Sequence, residues 1–411
     1  MLQLNMDYFE LHALLKNKIS EQVEVIDIDD KILVQNYWFQ SENWEILQGH
    51  SPIYCKEHQV EFCDEVFHTD IGHSEEGLDV IDCDVKENKR FIIHVFVPKH
   101  QKKSTDAILM FHGFNEKSWD KYFPWAYKLA TQTHQCVVLF PIAFHMNRAP
   151  SLWSTRRCMH EISLERQNEF PHLLASSFSN VAISTRLQAK PQRFIWSGLQ
   201  TYYDIVQFIR QCNEGKYPEI APQTQFHFFT YSIGAFLAQI LKITNYEGYF
   251  TGTKLCAFCG GATFNRFTPV SKAILDSEAN VALYSYLIEH LESHLRHEKR
   301  LYHYLEEHSE GQSFRMMLNF NYNRLQREKL FKQYSKDFFA IVLENDSVIP
   351  AYDVVSTLKG ALHAVPTHVL ITNFDYPYTH ETPFPLKEKI KESVENAFNW
   401  TFDQFIAFLN S

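Results

Sequence analysis

The stretch FHFFTYSIGAFLAQIL, Phe226 to Leu241, sets one serine between an aromatic run and an Ala/Leu-rich run. Read as strand, tight turn and helix, it presents Ser232 at the turn. A serine hydroxyl is neutral at pH 7. To act as a nucleophile it needs a base for its proton, and N–H donors for the oxyanion that grows on the attacked carbonyl. A strand-to-helix turn that sharp crowds the positions two before and two after the serine, which is why both are commonly glycine. Here the pattern reads Thr230-Tyr231-Ser232-Ile233-Gly234. The second glycine is in place, and the first position holds a branched residue. Alone, the motif reads equally well as a strand end with a casual hydroxyl.

Three further stretches stand in the chain order that acyl chemistry needs. Phe111-His112-Gly113-Phe114-Asn115 ends an apolar run. A His-Gly pair there shapes a loop whose Phe114 N–H, with that of Ile233, would point at the oxyanion. Asp346 follows the apolar run DFFAIVL, and Pro350 opens a helix after it. A carboxylate at a strand end can orient an imidazole and stabilise its cation. Glu344 and Asp353 suit the task less, the first lying near the strand and the second inside the next helix. His380, in the loop Tyr378-Thr379-His380-Glu381-Thr382-Pro383, follows the last expected strand. An imidazole on a loop can reach a serine, and it titrates near neutrality. His363 ends a helix and His368 opens a strand, so they fit less well.

The order serine, aspartate, histidine behind a His-Gly loop resembles the α/β-hydrolase fold superfamily, over roughly residues 78 to 411. The resemblance implies a catalytic triad of Ser232, His380 and Asp346, and an oxyanion hole at Phe114 and Ile233. It implies that His112, Gly113, Gly234 and Thr230 shape the loop and the elbow. It names no substrate, because one fold hosts many chemistries. The expected activity is hydrolysis of carboxylic esters through an acyl-enzyme. Two alternatives stand beside it: a peptidase or thioesterase on the same triad, and a non-catalytic binding protein of the same fold with the Ser232 hydroxyl buried. Tyr231, Arg148 and Trp153 are candidate substrate contacts, with Arg156 and Arg157 as further cations for an anionic group.

Other constellations carry less. Cys256-Ala257-Phe258-Cys259 has redox spacing, but lies in an apolar segment and reads as buried strand thiols. His290 and His294 are four apart, with Glu298 next on that helix face, followed by His297, His303 and His308. The charged surroundings read as a solvated face, and no metal is expected. There is no Gly-rich phosphate loop and no cofactor is expected.

These residues must be positioned by a sheet. DAILMFHGF and CVVLFPIAF are near-continuous apolar runs separated by the helical KYFPWAYKLATQT. That rhythm is the mark of a parallel sheet covered on both faces. GLDVIDCDV and KRFIIHVFVPK read as two strands joined at Glu87-Asn88. QFHFFTYS, KLCAFCGGATF, DFFAIVL and THVLITNF read as further strands, and the chain closes on the amphipathic KEKIKESVENAFNWTFDQFIAFL. The expected class is α/β, with a mostly parallel central sheet and helices on both faces. Residues 1–65 read as an N-terminal appendage and 66–411 as the hydrolase domain, with a helical lid inserted at about 264–335.

The chain has 411 residues, 45% hydrophobic and 15% aromatic, so it can build a large core. A net charge of −10 advertises no basic face, which speaks against nucleic acid. No leader-like start is read, and no window reaches 18 uninterrupted apolar residues, so no membrane partner is expected. Eight scattered cysteines fit reduced thiols in a cytoplasm. The expected partner is a small-molecule substrate. Oligomeric state is not legible.

Overall fold

The computed structural model describes residues 6–63, 78–99 and 104–411. Nine strands form its main sheet: β1 (Val25–Asp27), β2 (Ile32–Gln40), β3 (Arg90–Pro98), β4 (Ser104–Phe111), β5 (Cys136–Leu139), β6 (Ile220–Tyr231), β7 (Leu255–Phe258), β8 (Phe338–Leu343) and β9 (His368–Thr372). Their spatial order is β1-β2-β3-β5-β4-β6-β7-β8-β9. The strands from β5 to β9 run parallel, while β1, β2 and β3 pair antiparallel and β3 meets β5 antiparallel. This is the α/β-hydrolase architecture with an extra antiparallel edge strand.

The central strands are apolar on both faces because both are covered. Along β4, Ala107, Leu109 and Phe111 enter one core, while Ile108 and Met110 enter the other. That alternation is the two-residue period of a pleated strand. The helices Tyr8–Lys18 (α1), Phe123–Thr133 (α2) and Lys391–Asn410 (α6) cover one face. The helices Arg193–Asn213 (α3) and Ile233–Thr244 (α4), with the inserted helices, cover the other. The helix Ala351–Leu358 (α5) follows β8.

Two expectations are corrected. Residues 1–65 read as an appendage, but of those described, 6–63, much belongs to the main fold: β2 pairs with β3 along nine residues from Ile32↔Pro98 to Gln40↔Arg90, and α1 packs into the same core as α2 and α6. A long strand of the main sheet, β2, therefore comes from KILVQNYWF. GLDVIDCDV, of which residues 78–85 are described, forms no strand there. It makes a short 3-10 turn, Asp82–Asp84, because the buried Asp82 carboxylate accepts from both Arg186 and Arg193. A polar side chain held that way cannot alternate in and out of a ladder.

The segment expected as a lid is helical. It contains the helices Ser277–Tyr284, Leu291–His297, Lys299–Tyr302, Ser309–Leu318 and Arg324–Gln333, interrupted by π-turns at Ser285–Glu289 and His303–Glu307. Phe314 packs against Phe236 of α4, with ring centroids 5.3 Å apart. Gly198 of α3 lets the insertion approach, since a Cβ there would lie 2.4 Å from the Phe314 ring.

Candidate active site

Ser232 sits between β6 and α4 with φ 56° and ψ −123°, a left-handed backbone that a side chain adopts only under constraint. Two glycines make room for it. A Cβ on Gly234 would lie 2.7 Å from the Phe111 carbonyl oxygen, and one on Gly260 would lie 2.6 Å from that of Ser232. Gly260 follows β7, the neighbour of β6, so the space beside the elbow is supplied partly by another strand. Thr230 is fully buried, and its Oγ1 donates to the Cys256 carbonyl at 2.9 Å. The branched residue fits because its hydroxyl turns sideways into the ladder, away from the turn.

The three residues expected as a triad meet. His380 Nε2 lies 2.7 Å from Ser232 Oγ, and His380 Nδ1 lies 2.7 Å from Asp346 Oδ2. The other Asp346 oxygen accepts the Val348 and Ile349 N–H groups at 2.9 Å each. All three side chains are buried. Of the weaker acids, Glu344 is exposed and Asp353 is paired with Arg266 at 3.0 Å. His363 is exposed, and His368 stacks on Phe339 within β9 and β8.

The loop after β4 is built by His112. Its Nε2 accepts the Ile142 N–H at 2.9 Å and its Nδ1 donates to the Gly113 carbonyl at 2.7 Å. Burial pushes this imidazole's pKa well down, so it is neutral and can serve both roles. The Gly113 N–H donates to the Tyr122 hydroxyl at 2.8 Å. The N–H groups of Phe114 and Ile233 donate to no acceptor among the described residues. Both residues line the cavity at Ser232.

The three candidate substrate contacts do not reach that cavity. Tyr231 is buried beneath the site, its ring stacked on His380 at 5.5 Å. Strand alternation explains this, since neighbours of an upward residue point into the opposite core. Arg148 is wholly buried and ion-paired with Asp204 at 2.7 Å, and it also donates to Asn88 and to the Pro141 carbonyl. Trp153 belongs to a small separate core with Met159 and Val181, with Arg186 over its ring. Arg156 and Arg157 are exposed.

Sequence reasoning missed the residues that tie the loops together. Lys121 pairs with Glu116, donates to the Glu381 carbonyl at 3.1 Å, and lies 4.5 Å over the Tyr231 ring. Ser271 Oγ, in the insertion, donates to the Glu381 carboxylate at 2.7 Å. These contacts clamp the His380 loop from both sides. Glu116 and Glu381 stand beside the His112 loop and His380 in the sequence, whereas Ser271 lies 110 residues from Glu381 and carried no signal.

The cavity at Ser232 is apolar and narrow. Phe264, Phe267, Pro269, Ile274, Leu275 and Leu283 of the insertion face Phe114, Phe194, Val348 and Ile349 across it. Its volume of about 20 Å³ is the space of one water. Cys256 and Cys259 are buried strand thiols whose pKa values burial raises. His290 is exposed, and His294 stacks on Tyr286 and lies 3.6 Å from Glu298. No helix among the described residues is long and apolar enough to cross a membrane.

The model of a family described as a family of unknown function, DUF6051, matches residues 6–410, and the chain belongs to that family. No curated protein matches the sequence. Among solved structures, the chain is similar to carboxyl esterase 2 of the mycorrhizal fungus Tuber melanosporum, at 10% identity and a TM-score of 0.42, over 78% of this chain and 82% of that one. It is also similar to a hyperthermophilic esterase of the archaeon Pyrobaculum calidifontis, at 11% and 0.38, over 77% and 83%. The acylaminoacyl peptidase of Pyrococcus horikoshii matches at 11% and 0.37, over 77% of this chain and 39% of that one.

Proposed function

We propose that this DUF6051 member is a serine hydrolase that cleaves carboxylic esters with an apolar acyl or alkyl group. The observation that carries the reading is the relay from Ser232 Oγ through His380 to Asp346, two contacts of 2.7 Å in series at a left-handed serine. In this reading His380 Nε2 takes the hydroxyl proton as Ser232 Oγ attacks the carbonyl. Asp346 holds the proton on Nδ1 and stabilises the imidazolium. The Phe114 and Ile233 N–H groups receive the oxyanion. His380 then gives its proton to the leaving alkoxide, and water activated by the same imidazole releases the acid. The substrate class follows from the cavity walls, which among the described residues carry no charged side chain to bind an ammonium or a carboxylate. Because the cavity is so small, the insertion acts as a lid that must open for entry.

A p-nitrophenyl ester assay and a fluorophosphonate label test this. The intact chain is expected to turn over the ester and take up one label. Ser232→Ala should lose the label and at least ~10³-fold of the rate, the scale of a lost nucleophile. Unchanged turnover in Ser232→Ala, or no label on well-folded protein, would overturn the assignment in favour of a non-catalytic member of the fold. A thioester or peptide substrate preferred over every ester would move the chemistry to the thioesterase or peptidase reading.

A further inference from the structure

A second cluster of reactive side chains lies away from Ser232, where a small hairpin meets the insertion. The hairpin pairs Ile53–Cys55 with Val60–Phe62 and stands outside the main sheet. Two strands of three residues hold together poorly without help. Cys55 ends the first strand, and His58 lies in the turn. From the insertion come His303, first residue of the second π-turn, and His308, which caps the helix Ser309–Leu318. Such π-turns recur where a side chain must be aimed.

The donor atoms converge. Cys55 Sγ lies 3.4 Å from His308 Nε2 and 3.6 Å from His58 Nδ1, and the Nε2 atoms of His303 and His308 are 3.2 Å apart. All four lie within 4.8 Å of one another. Zinc takes nitrogen at about 2.0–2.1 Å and sulfur at about 2.3 Å in a tetrahedral shell, whose edges are then about 3.3 Å for N···N and about 3.6 Å for S···N. The three short separations match those edges.

The outer atoms of the rings point the same way. His303 Nδ1 contacts the Glu307 carboxylate. His308 Nδ1 lies 3.2 Å from Glu310 and 3.3 Å from Glu57. Glu310 is itself held by the Tyr203 hydroxyl of α3. A carboxylate beside Nδ1 calls for its proton there, which leaves a lone pair on each Nε2. The two Nε2 atoms then face each other at 3.2 Å beside the Cys55 sulfur, an arrangement that a cation between them would satisfy. Cys55, His303 and His308 are buried and His58 is exposed, so the cluster has one open side for entry.

We infer that Cys55, His58, His303 and His308 form a binding site for a divalent cation of the zinc class. One thiolate and three imidazoles are borderline-soft donors, which select zinc over magnesium or calcium. With four protein ligands the shell is complete, so the ion is structural and not a Lewis acid for substrate. It clips the hairpin to the insertion and fixes the start of the helix Ser309–Leu318. Gly311 lets that helix seat against the π-turn, since a Cβ there would lie 1.8 Å from the Tyr304 carbonyl oxygen. The site stands independently of the ester reading.

Metal analysis of the full chain tests it. After loading with Zn²⁺ and dialysis, one equivalent per chain is expected. The Co²⁺-loaded chain should show the ligand-field bands of a tetrahedral site and a thiolate charge-transfer band. Cys55→Ser should abolish the thiolate band, and Cys63→Ser, at an exposed neighbour, should keep it. His58→Ala, at an exposed position that leaves the fold intact, should weaken Zn²⁺ binding at least ten-fold in competition with a chromophoric chelator. A folded chain that retains no Zn²⁺, a thiolate band that survives Cys55→Ser, or parental affinity in His58→Ala would each overturn the site. If Cys55→Ser does not fold, the His58→Ala affinity decides.

Discussion

Thr230 and Gly234 flank the same serine, yet they are constrained differently. Thr230 keeps its Cβ clear of the turn and gives its hydroxyl to the Cys256 carbonyl, whereas Gly234 lies against the Phe111 backbone. Thr230→Val keeps the shape and removes one buried hydrogen bond, so it should cost about 1 kcal/mol of stability and leave kcat within a few-fold. Gly234→Ala must push the Phe111 carbonyl aside and should cut ester turnover ~100-fold or more. Denaturant melts and p-nitrophenyl kinetics on the two variants separate these outcomes, and a Thr230→Val enzyme as impaired as Gly234→Ala would contradict the geometry. At this scale the sequence was most legible where chemistry restricts residue type. Serine, aspartate and histidine in order at strand ends could be picked out and do come together. Arg148, Trp153 and Tyr231 could not be judged, because exposure depends on partners far along the chain: Asp204 for Arg148, and the core under His380 for Tyr231.

The insertion contributes most of the wall opposite Ser232. Leu275 is buried in that wall. Leu275→Ala removes three carbons and should move the preference toward longer acyl chains, raising the long-to-short ratio of kcat/KM by about ten-fold, within the one to three kcal/mol that a pocket methylene or two can supply. A chain-length series on both proteins checks this, and an unchanged profile would mean the acyl group lies elsewhere. The apolar strands with helices between them were legible, since covered parallel strands leave long apolar runs. β2 was harder, because an antiparallel strand near a sheet edge alternates, and residues 1–65 carry no motif to draw attention to it. The Cys55 and His308 contact was not legible at all, as 253 residues separate them.

For the whole molecule, pH is the sharper probe. His94 and His145 are fully buried, and burial pushes both down to about 4. In the unfolded chain each titrates near 6.5, so on acidification the unfolded state binds protons first. Their contribution is complete above about pH 6.5 and is lost as pH falls from there toward 4, about 2 kcal/mol apiece between pH 7 and pH 5. Thermal melts should therefore show a lower Tm at pH 5 than at pH 7, with the drop reduced in His94→Gln. A Tm flat across that range would place these rings in contact with water.

The narrowness of the cavity above Ser232 also bears on how affinity should be understood. If only a small fraction of molecules stands open at any moment, the apparent dissociation constant for a substrate is its intrinsic value divided by that fraction. Weakness of binding would then report the rarity of the open population, not a poor fit. The Ser271 to Glu381 bond spans the boundary between the insertion and the His380 loop, so anything that alters its strength changes that population. On the proposed reading, occupancy of the site would then be tuned from the Ser271–Glu381 contact without altering any atom that touches the substrate.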